Sequence, residues 1–317
     1  MRRTSPFNGV LVVDKCAGPT SHDVVAWARR ALGVKAIGHT GTLDPVATGV
    51  LVLVVGEARK LSPYLTAERK VYDSTIRLGG ETDSLDAAGS VVREAAVPPG
   101  LTRDRVVDVV HRFLGTTLQK PPARSAIKVG GKPLYKRVRA GEVVEPAERE
   151  VVVHSIDVRE VGPDWIRLVL ESGKGFYVRS LARDLALALG SVGYLGSLRR
   201  LRSGRFGVEG AIPADVLREA ARTGQGRDEI VRQLISPFDA CDMLPRARLT
   251  SKGVLYARQG RPISAELVDG PVERGNQAAV ALASGSGGLV AIARQVGDSF
   301  RVIRGFREEP VRLVEKN

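Results

Sequence analysis

The sequence predicts an α+β fold, and three observations lead to it. Strand-type and helix-type segments are interspersed without the regular strand–helix alternation of a doubly wound sheet. The strand-type segments differ among themselves: residues 50–55 are continuously apolar, whereas 71–78 alternate strictly. After about residue 245 a single helical segment remains among short strands and glycine-bearing turns.

The elements follow in chain order. Residues 9–13 read as a buried strand, and Gly18 and Pro19 mark the turn after it. Thr20 and Asp23 have capping-box spacing, and Val24, Ala28 and Leu32 share one face of the helix that follows, which Gly33 ends. Residues 50–55 suit a central strand. In 71–78, Tyr72, Ser74, Ile76 and Leu78 share one face and Asp73, Thr75 and Arg77 the other, so Tyr72 projects from a rigid element. Residues 101–114 are helical, with Val106, Val109, Val110 and Phe113 inward and Gly115 at the end. Residues 151–158 and 165–171 are strand-like. Residues 178–189 form a helix with Leu181, Leu185 and Leu189 on one stripe, stopped by Gly190. The composition shifts after about residue 210, and a polar helix over 213–222 follows. A new unit begins near residues 244–245, with a helix over 251–258, a turn over 259–262, a hairpin of 278–283 and 289–294 around the loop 284–288, and a strand over 300–304. These features divide the chain into units of residues 1–244 and 245–317.

The 317 residues suit about two domains at roughly 100–200 residues each, and 43% hydrophobic residues are enough for a sizeable core. There are 48 basic and 35 acidic residues, a net charge of +13, and the isoelectric point is near 10.1. That balance favours a polyanionic partner, nucleic acid before an anionic membrane surface. Cys16 and Cys241 lie far apart and imply neither a disulfide framework nor a metal spacing. The first apolar run is too short for a signal peptide, and 50–55 falls far below the roughly 20 residues of a membrane span. The expected location is the cytoplasm.

Several chemistries are excluded. His22, His39, His111 and His154 show no ligand spacing with one another or with the cysteines, so no metal site is expected. Asp83, Asp86 and Gly89 resemble a calcium loop out of register, since Leu85 stands where an oxygen ligand is required. No phosphate-cradling Gly-Lys-Ser/Thr or Gly-x-Gly-x-x-Gly occurs.

Asp44 remains. It is the one acid in residues 38–49, a loop of glycines, threonines and a proline that opens directly into the apolar run 50–55. An aspartate before proline commonly starts a turn. A lone carboxylate at the mouth of a buried strand is also a candidate nucleophile or general base. Here His39 brings a polar ring to the same loop, and Gly38, Gly41 and Gly49 permit close approach of a substrate.

Three further segments carry potential chemistry. Tyr72 stands beside Arg69 and Lys70 and is either a core aromatic or a stacking platform for a base. Residues 172–180 lead through glycines into a helix and carry Lys174, Tyr177 and Arg179. An arginine at a helix start opposes the dipole, so Arg179 calls for a carboxylate partner, which its planar fork suits. Residues 119–139 hold Lys120, Arg124, Lys128, Lys132, Lys136, Arg137 and Arg139 with no acid, on a loop punctuated by prolines and glycines. Such a loop is either a solvated face or a contact for phosphates. Arg199, Arg200, Arg202 and Arg205 form a second basic cluster.

In this order and spacing the segments resemble the TruB family of bacterial tRNA pseudouridine synthases. Residues 14–21 resemble its first motif, 38–49 its catalytic loop, 70–79 its tyrosine motif, 121–141 its mobile basic loop, 174–179 its Gly-x-Tyr-x-Arg motif and 198–201 its leucine–arginine segment. Cys16 stands where that motif usually has proline, a change to turn geometry only. The tail resembles a PUA-like RNA-binding domain.

The resemblance implies a pseudouridine synthase fold with a mixed, largely antiparallel central sheet, and isomerisation of uridine 55 in the tRNA T-loop without a cofactor. It implies Asp44 as the essential carboxylate and Arg179 as its partner. The resemblance gives Tyr72 stacking on the flipped base and a part in removing the C5 proton, Tyr177 and Leu198 lining the pocket, His39 occupying the space or contacting the phosphate near the extruded base, and Lys15 supporting the catalytic loop. The implied partner is the tRNA T stem-loop, bound by a monomer that needs no guide RNA or protein partner and no membrane. The competing expectation is an RNA-binding or tRNA-folding module without catalysis, in which Asp44 is only a turn residue. A glycosidase is disfavoured because it usually needs two carboxylates.

Overall fold

The computed structural model describes residues 5–125, 128–129, 132–134, 137, 142, 144–269 and 279–307. Its first half contains β1 (Gly9–Lys15), α1 (Ser21–Leu32), β2 (Ile37–His39), β3 (Thr48–Val55), α2 (Ser62–Ala67), β4 (Lys70–Leu78), β5 (Gly80–Thr82), β6 (Val91–Glu94) and α3 (Arg103–Val110). Then come β7 (Gly115–Gln119), the two-residue strands β8 (Lys128–Val129) and β9 (Lys132–Pro133), β10 (Arg149–Val161), β11 (Trp165–Ser172) and α4 (Val178–Ala188). β12 (Gly193–Ser203), β13 (Phe206–Gly207), β14 (Ile212–Pro213), α5 (Ala214–Thr223) and α6 (Arg227–Arg232) follow. The C-terminal part has β15 (Arg246–Leu249), α7 (Ser251–Arg258), β16 (Ile263–Ser264), β17 (Val268–Asp269), β18 (Ala279–Ala283), β19 (Leu289–Val296) and β20 (Ser299–Gly305).

The central sheet runs β14-β1-β3-β12-β4-β11-β10-β7, with β2 on β3 and β13 on β12. Only β1/β14 and β3/β12 are parallel, so the sheet is mixed and largely antiparallel. The fold class is therefore the expected one.

Local chemistry explains the elements that position the site. α1 starts at a capping box: Asp23 N–H donates to Thr20 Oγ1 at 3.1 Å while the Asp23 carboxylate accepts from Thr20 N–H at 2.8 Å. Gly33 closes it with φ 67°. β3 is continuously apolar because both its faces are covered. Leu51, Leu53 and Val55 pack with Leu11 and Val13 against α1, α5 and α6. Val50, Val52 and Val54 pack on the opposite side with Val10, Val12 and residues of the C-terminal sheet, among them Ala281, Leu289 and Ile292. β4 alternates because one face packs on α3 and α4 through Tyr72, Ile76 and Leu78. Its other face carries Asp73, which takes a two-pronged contact from Arg167 at 3.1 and 2.7 Å.

β12 was not evident as a strand in the sequence. Gly193 and Gly196 dilute its pattern, and register shifts between Leu195 and Ser197 and between Arg200 and Arg202 break its alternation. It nevertheless joins two smaller sheets, β1–β3 on one side and β4–β11–β10–β7 on the other. Gly49, at the β3/β12 contact, has φ 96°, and a Cβ there would lie 2.2 Å from the Arg200 carbonyl oxygen. Gly49→Ala is therefore expected to destabilise the protein by at least about 2 kcal/mol, strain and overpacking adding together; urea unfolding with an unchanged m-value checks this.

The C-terminal sheet runs β16-β20-β19-β18-β15-β17. The expected hairpin is β18/β19, antiparallel, with Ser284 N–H donating to Gly288 O at 2.9 Å at its tip. Among the described residues no helix is long and apolar enough to cross a membrane.

Candidate active site

Asp44 sits where the sequence places it, at the first position of a turn whose closing bond runs from Ala47 N–H to Asp44 O at 3.1 Å, with Pro45 fixing the second position. The loop is fastened at several points. Ser21 Oγ accepts from Leu43 N–H and donates to Leu43 O, tying the loop to the start of α1. Lys15, at the end of β1, is wholly buried, and its ammonium donates to the carbonyls of Cys16, Pro45 and Ala47 at 2.9, 3.1 and 2.6 Å. Burial lowers its pKa. Arg200, on β12 and equally buried, donates to Val50 O at 2.7 Å and Gly41 O at 3.0 Å. Two buried cations thus hold the loop by its carbonyl oxygens.

Arg179 is the second residue of α4, and the partner its position demands is present. Nε lies 3.0 Å from Asp44 Oδ2 but off line for a hydrogen bond, while Nη2 donates to Asp44 Oδ1 at 3.3 Å. The guanidinium also donates to Ser84 O at 2.9 Å and Arg124 O at 3.2 Å, and Nη1 lies 3.6 Å from Asp86 Oδ2. Arg179 and Asp86 are buried, and the Asp44 side chain is 35% exposed. One arginine therefore serves two carboxylates. Asp44 is raised above its usual range: burial is the first cause and Asp86 adds to it, against the pull of Arg179 and Lys15. A carboxylate held this way is a stronger base and nucleophile than a solvated one.

In sequence Asp86 shows only as part of a calcium-like acidic spacing. Its carboxylate accepts from Ser84 Oγ at 2.6 Å and Ala88 N–H at 3.1 Å, which aims it. Leu85, between them, has φ 61°, the one positive value outside glycine among the described residues. That strained turn is bound to β12 through Leu195 N–H to Leu85 O at 3.0 Å. Acidic spacing alone does not reveal such a role; a positive φ at leucine is invisible in sequence.

Of the other expected residues, Tyr177 feels the charges of both members of this pair. Tyr72 is 9% exposed and packs with Val178, Phe176 and Leu198. Leu198 touches both central cores, the one under α1 and the one under α4, so it lies at their seam. The Tyr177 hydroxyl is raised by burial and feels the charges of Arg149, Arg179 and Asp44. His39 stacks edge-on with His22 at 5.4 Å, and its Nδ1 is buried without a hydrogen-bond partner among the described residues. Burial, then His22 and Arg200, push His39 down to about 4. The ring is neutral throughout the physiological range. Because its folded pKa lies below the unfolded value, the stability it supports is present above about pH 6.5 and is lost as pH falls towards 4. Melting temperatures measured from pH 7 to 4.5 are expected to fall less steeply in His39→Gln than in the wild type.

In the basic loop, Lys120 pairs with Glu145 at 3.0 Å, Arg124 with Asp83 at 2.6 Å and Arg137 with Glu142 at 2.6 Å. Lys128 and Lys132 are described only as backbone of β8 and β9, and Lys136 and Arg139 lie outside the described residues. The second basic cluster does not present one surface. Arg200 is buried, Arg199 forks onto Asp14 at 3.0 and 2.8 Å, Arg202 meets Glu171 at 3.1 Å and Arg205 meets Asp242 at 3.4 Å. Among the described residues no cluster of three or more His, Cys, Asp or Glu side chains could hold a metal ion.

The segment carrying this geometry matches known proteins. Residues 29–178 match the N-terminal domain of the TruB family pseudouridylate synthases, and 179–241 match the tRNA pseudouridylate synthase B C-terminal domain. A tRNA pseudouridine synthase B of Geobacter sulfurreducens is 43% identical over 83% of this chain and 85% of its own. The chain belongs to the TruB family. A second TruB relative, from Zymomonas mobilis, is 37% identical over 96% of this chain and 97% of its own, so the likeness extends through the C-terminal sheet. The TruB chain also resembles a solved structure, the crystal structure of a Cbf5-Nop10-Gar1 complex, with a TM-score of 0.73 and 25% identity over 96% of this chain and 86% of that one. As a TruB member it is a pseudouridine synthase, an isomerase, and the Asp44–Arg179 pair lies inside the matched segments.

Proposed function

We propose that this synthase converts uridine to pseudouridine at position 55 in the T-loop of tRNA, with the target nucleotide flipped out of the loop and Asp44 as the essential group. The observation that carries the reading is the Asp44–Arg179 pair, backed by Asp86. A uracil stacked in a folded loop is out of reach of a recessed carboxylate, so extrusion is required. The reaction is an isomerisation. The N1–C1′ bond breaks, C5 of the same ring bonds to C1′, the C5 proton is removed and N1 gains one, so no cofactor is consumed. Asp44 acts on the sugar or the base to open the glycosidic bond, and Arg179 keeps it ionised and aimed. Tyr72 stacks on the uracil and takes part in removing the C5 proton, Tyr177 and Leu198 wall the pocket, and neutral His39 fills the space near the extruded base.

The chain is taken to divide into a catalytic unit of residues 1–244 and a PUA-like RNA-binding unit of 245–317. It acts as a monomer in the cytoplasm, without guide RNA or protein partner. In the basic loop Lys120, Arg124 and Arg137 exchange their carboxylate partners for tRNA phosphates, and Lys128, Lys132, Lys136 and Arg139 add further phosphate contacts. Affinity should then fall steeply with salt.

The deciding experiment incubates the purified protein with an unmodified tRNA transcript, without added cofactor or guide RNA, and maps pseudouridine at single-nucleotide resolution. Product at the T-loop uridine is expected. Product at another site, or only when a guide RNA is supplied, would overturn the assignment.

A further inference from the structure

The basic loop leaves the sheet after Gln119 and returns at Arg149, and these two residues face each other as a rung of the β7/β10 ladder. Opposed residues on an antiparallel pair project their side chains to the same side. Here both reach Tyr177. Gln119 is 5% exposed, and its amide uses both ends on one residue: Tyr177 N–H donates to Gln119 Oε1 at 2.9 Å, and Gln119 Nε2 donates to Tyr177 O at 3.2 Å. This copies the bond pair of a strand neighbour. The Arg149 guanidinium lies 5.9 Å from the centre of the Tyr177 ring.

Tyr177 needs such support. It is the N-cap of α4, and no side chain of its own caps the helix. The next residue of the loop stem continues the attachment. Lys120 O accepts from Ser180 Oγ at 2.8 Å and from Arg183 at 3.2 Å, and Arg124 O accepts from Arg179 at 3.2 Å. Every one of these contacts spans more than fifty residues of sequence and ends on the first turns of α4.

We propose that Gln119 is a positioning residue: its amide fixes the backbone of Tyr177 and thereby ties the placement of Tyr177 and Arg179 to the stem of the basic loop. This rests on the uridine-isomerising reading of the site. Gln119 touches no reacting atom; it acts through Tyr177.

The test compares wild type, Gln119→Leu and Gln119→Glu by single-turnover pseudouridine formation at saturating enzyme, together with tRNA dissociation constants. Leucine keeps the bulk and removes both bonds. A misplaced pocket wall is expected to lower the single-turnover rate by about 10- to 100-fold, with the dissociation constant within about twofold of wild type. Glutamate keeps the acceptor for Tyr177 N–H but loses the donor to Tyr177 O when ionised; protonated, it regains it. The ratio of the Gln119→Glu rate to the wild-type rate should therefore rise as pH falls from 8 to 5.5. A mere loss of packing would give a ratio indifferent to pH.

An unchanged rate in Gln119→Leu overturns the proposal, as does a loss explained wholly by weaker tRNA binding. A pH-independent Gln119→Glu ratio overturns it too, and that variant decides the matter if Gln119→Leu does not fold. Absence of product from the wild type would instead sink the uridine reading itself.

Discussion

Asp44→Asn is expected to abolish pseudouridine formation while leaving tRNA binding and the fold intact. The loss of rate should be on the order of 10³-fold or more, as when a reacting group is removed from a unit that acts together. The fold should tolerate the change because burial already works against the charge on Asp44. A carboxyl whose pKa is raised on folding favours the native state more when neutral, so its stabilising influence appears as pH falls through the folded pKa. The neutral amide mimics that state, and Arg179 keeps Asp86 and two carbonyls as partners. The melting temperature of Asp44→Asn at pH 7 should therefore equal or exceed that of the wild type. Product above background, or a melting temperature several degrees lower, would refute this account of the residue.

Arg179→Met should cost stability as well as rate. It leaves Asp44 and Asp86 facing each other without their shared cation and strips Ser84 O and Arg124 O of a donor. Breaking a buried pair from one side costs about 3–5 kcal/mol. Arg179 is also the largest influence holding the Asp44 pKa down, so its removal lets the pKa rise further. The acid limb of the rate profile should then move to higher pH, with the deficit greater at pH 6 than at pH 8.5. Arg179→Lys keeps the charge but loses the planar fork, and is expected to recover stability more than rate. Single-turnover rates across pH 5.5–8.5 separate these effects; a profile parallel to wild type would argue that Arg179 does not govern the ionisation of Asp44.

The site was legible where one residue type broke a local rule. Arg179 opposes a helix dipole, and that conflict pointed to a carboxylate, which the structure supplies as Asp44. The capping box at Thr20 and the alternation around Tyr72 are likewise local, and both elements stand where expected. What was not legible depends on partners far along the chain. The bulged register of β12 hid a strand, and with it the buried side of Arg200, which composition grouped with exposed arginines. Asp86 acts through a strained turn at Leu85, and Gln119 through the backbone of a residue 58 positions away. None of these leaves a periodic trace.

The position of β12 in the chain has a consequence for the protein's birth. Asp44 and its strand emerge from the ribosome early, and β4, β10 and β11 follow, yet the strand that joins these groups spans residues 193–203. Arg200, one of the two cations that grip the Asp44 loop, arrives with it. A nascent chain halted before that strand holds two unjoined sheet fragments with exposed edges, the kind of species prone to aggregate. Competence to modify RNA is thus expected late in synthesis: a truncated product that carries every motif up to Arg179 should be inert for want of one bridging strand.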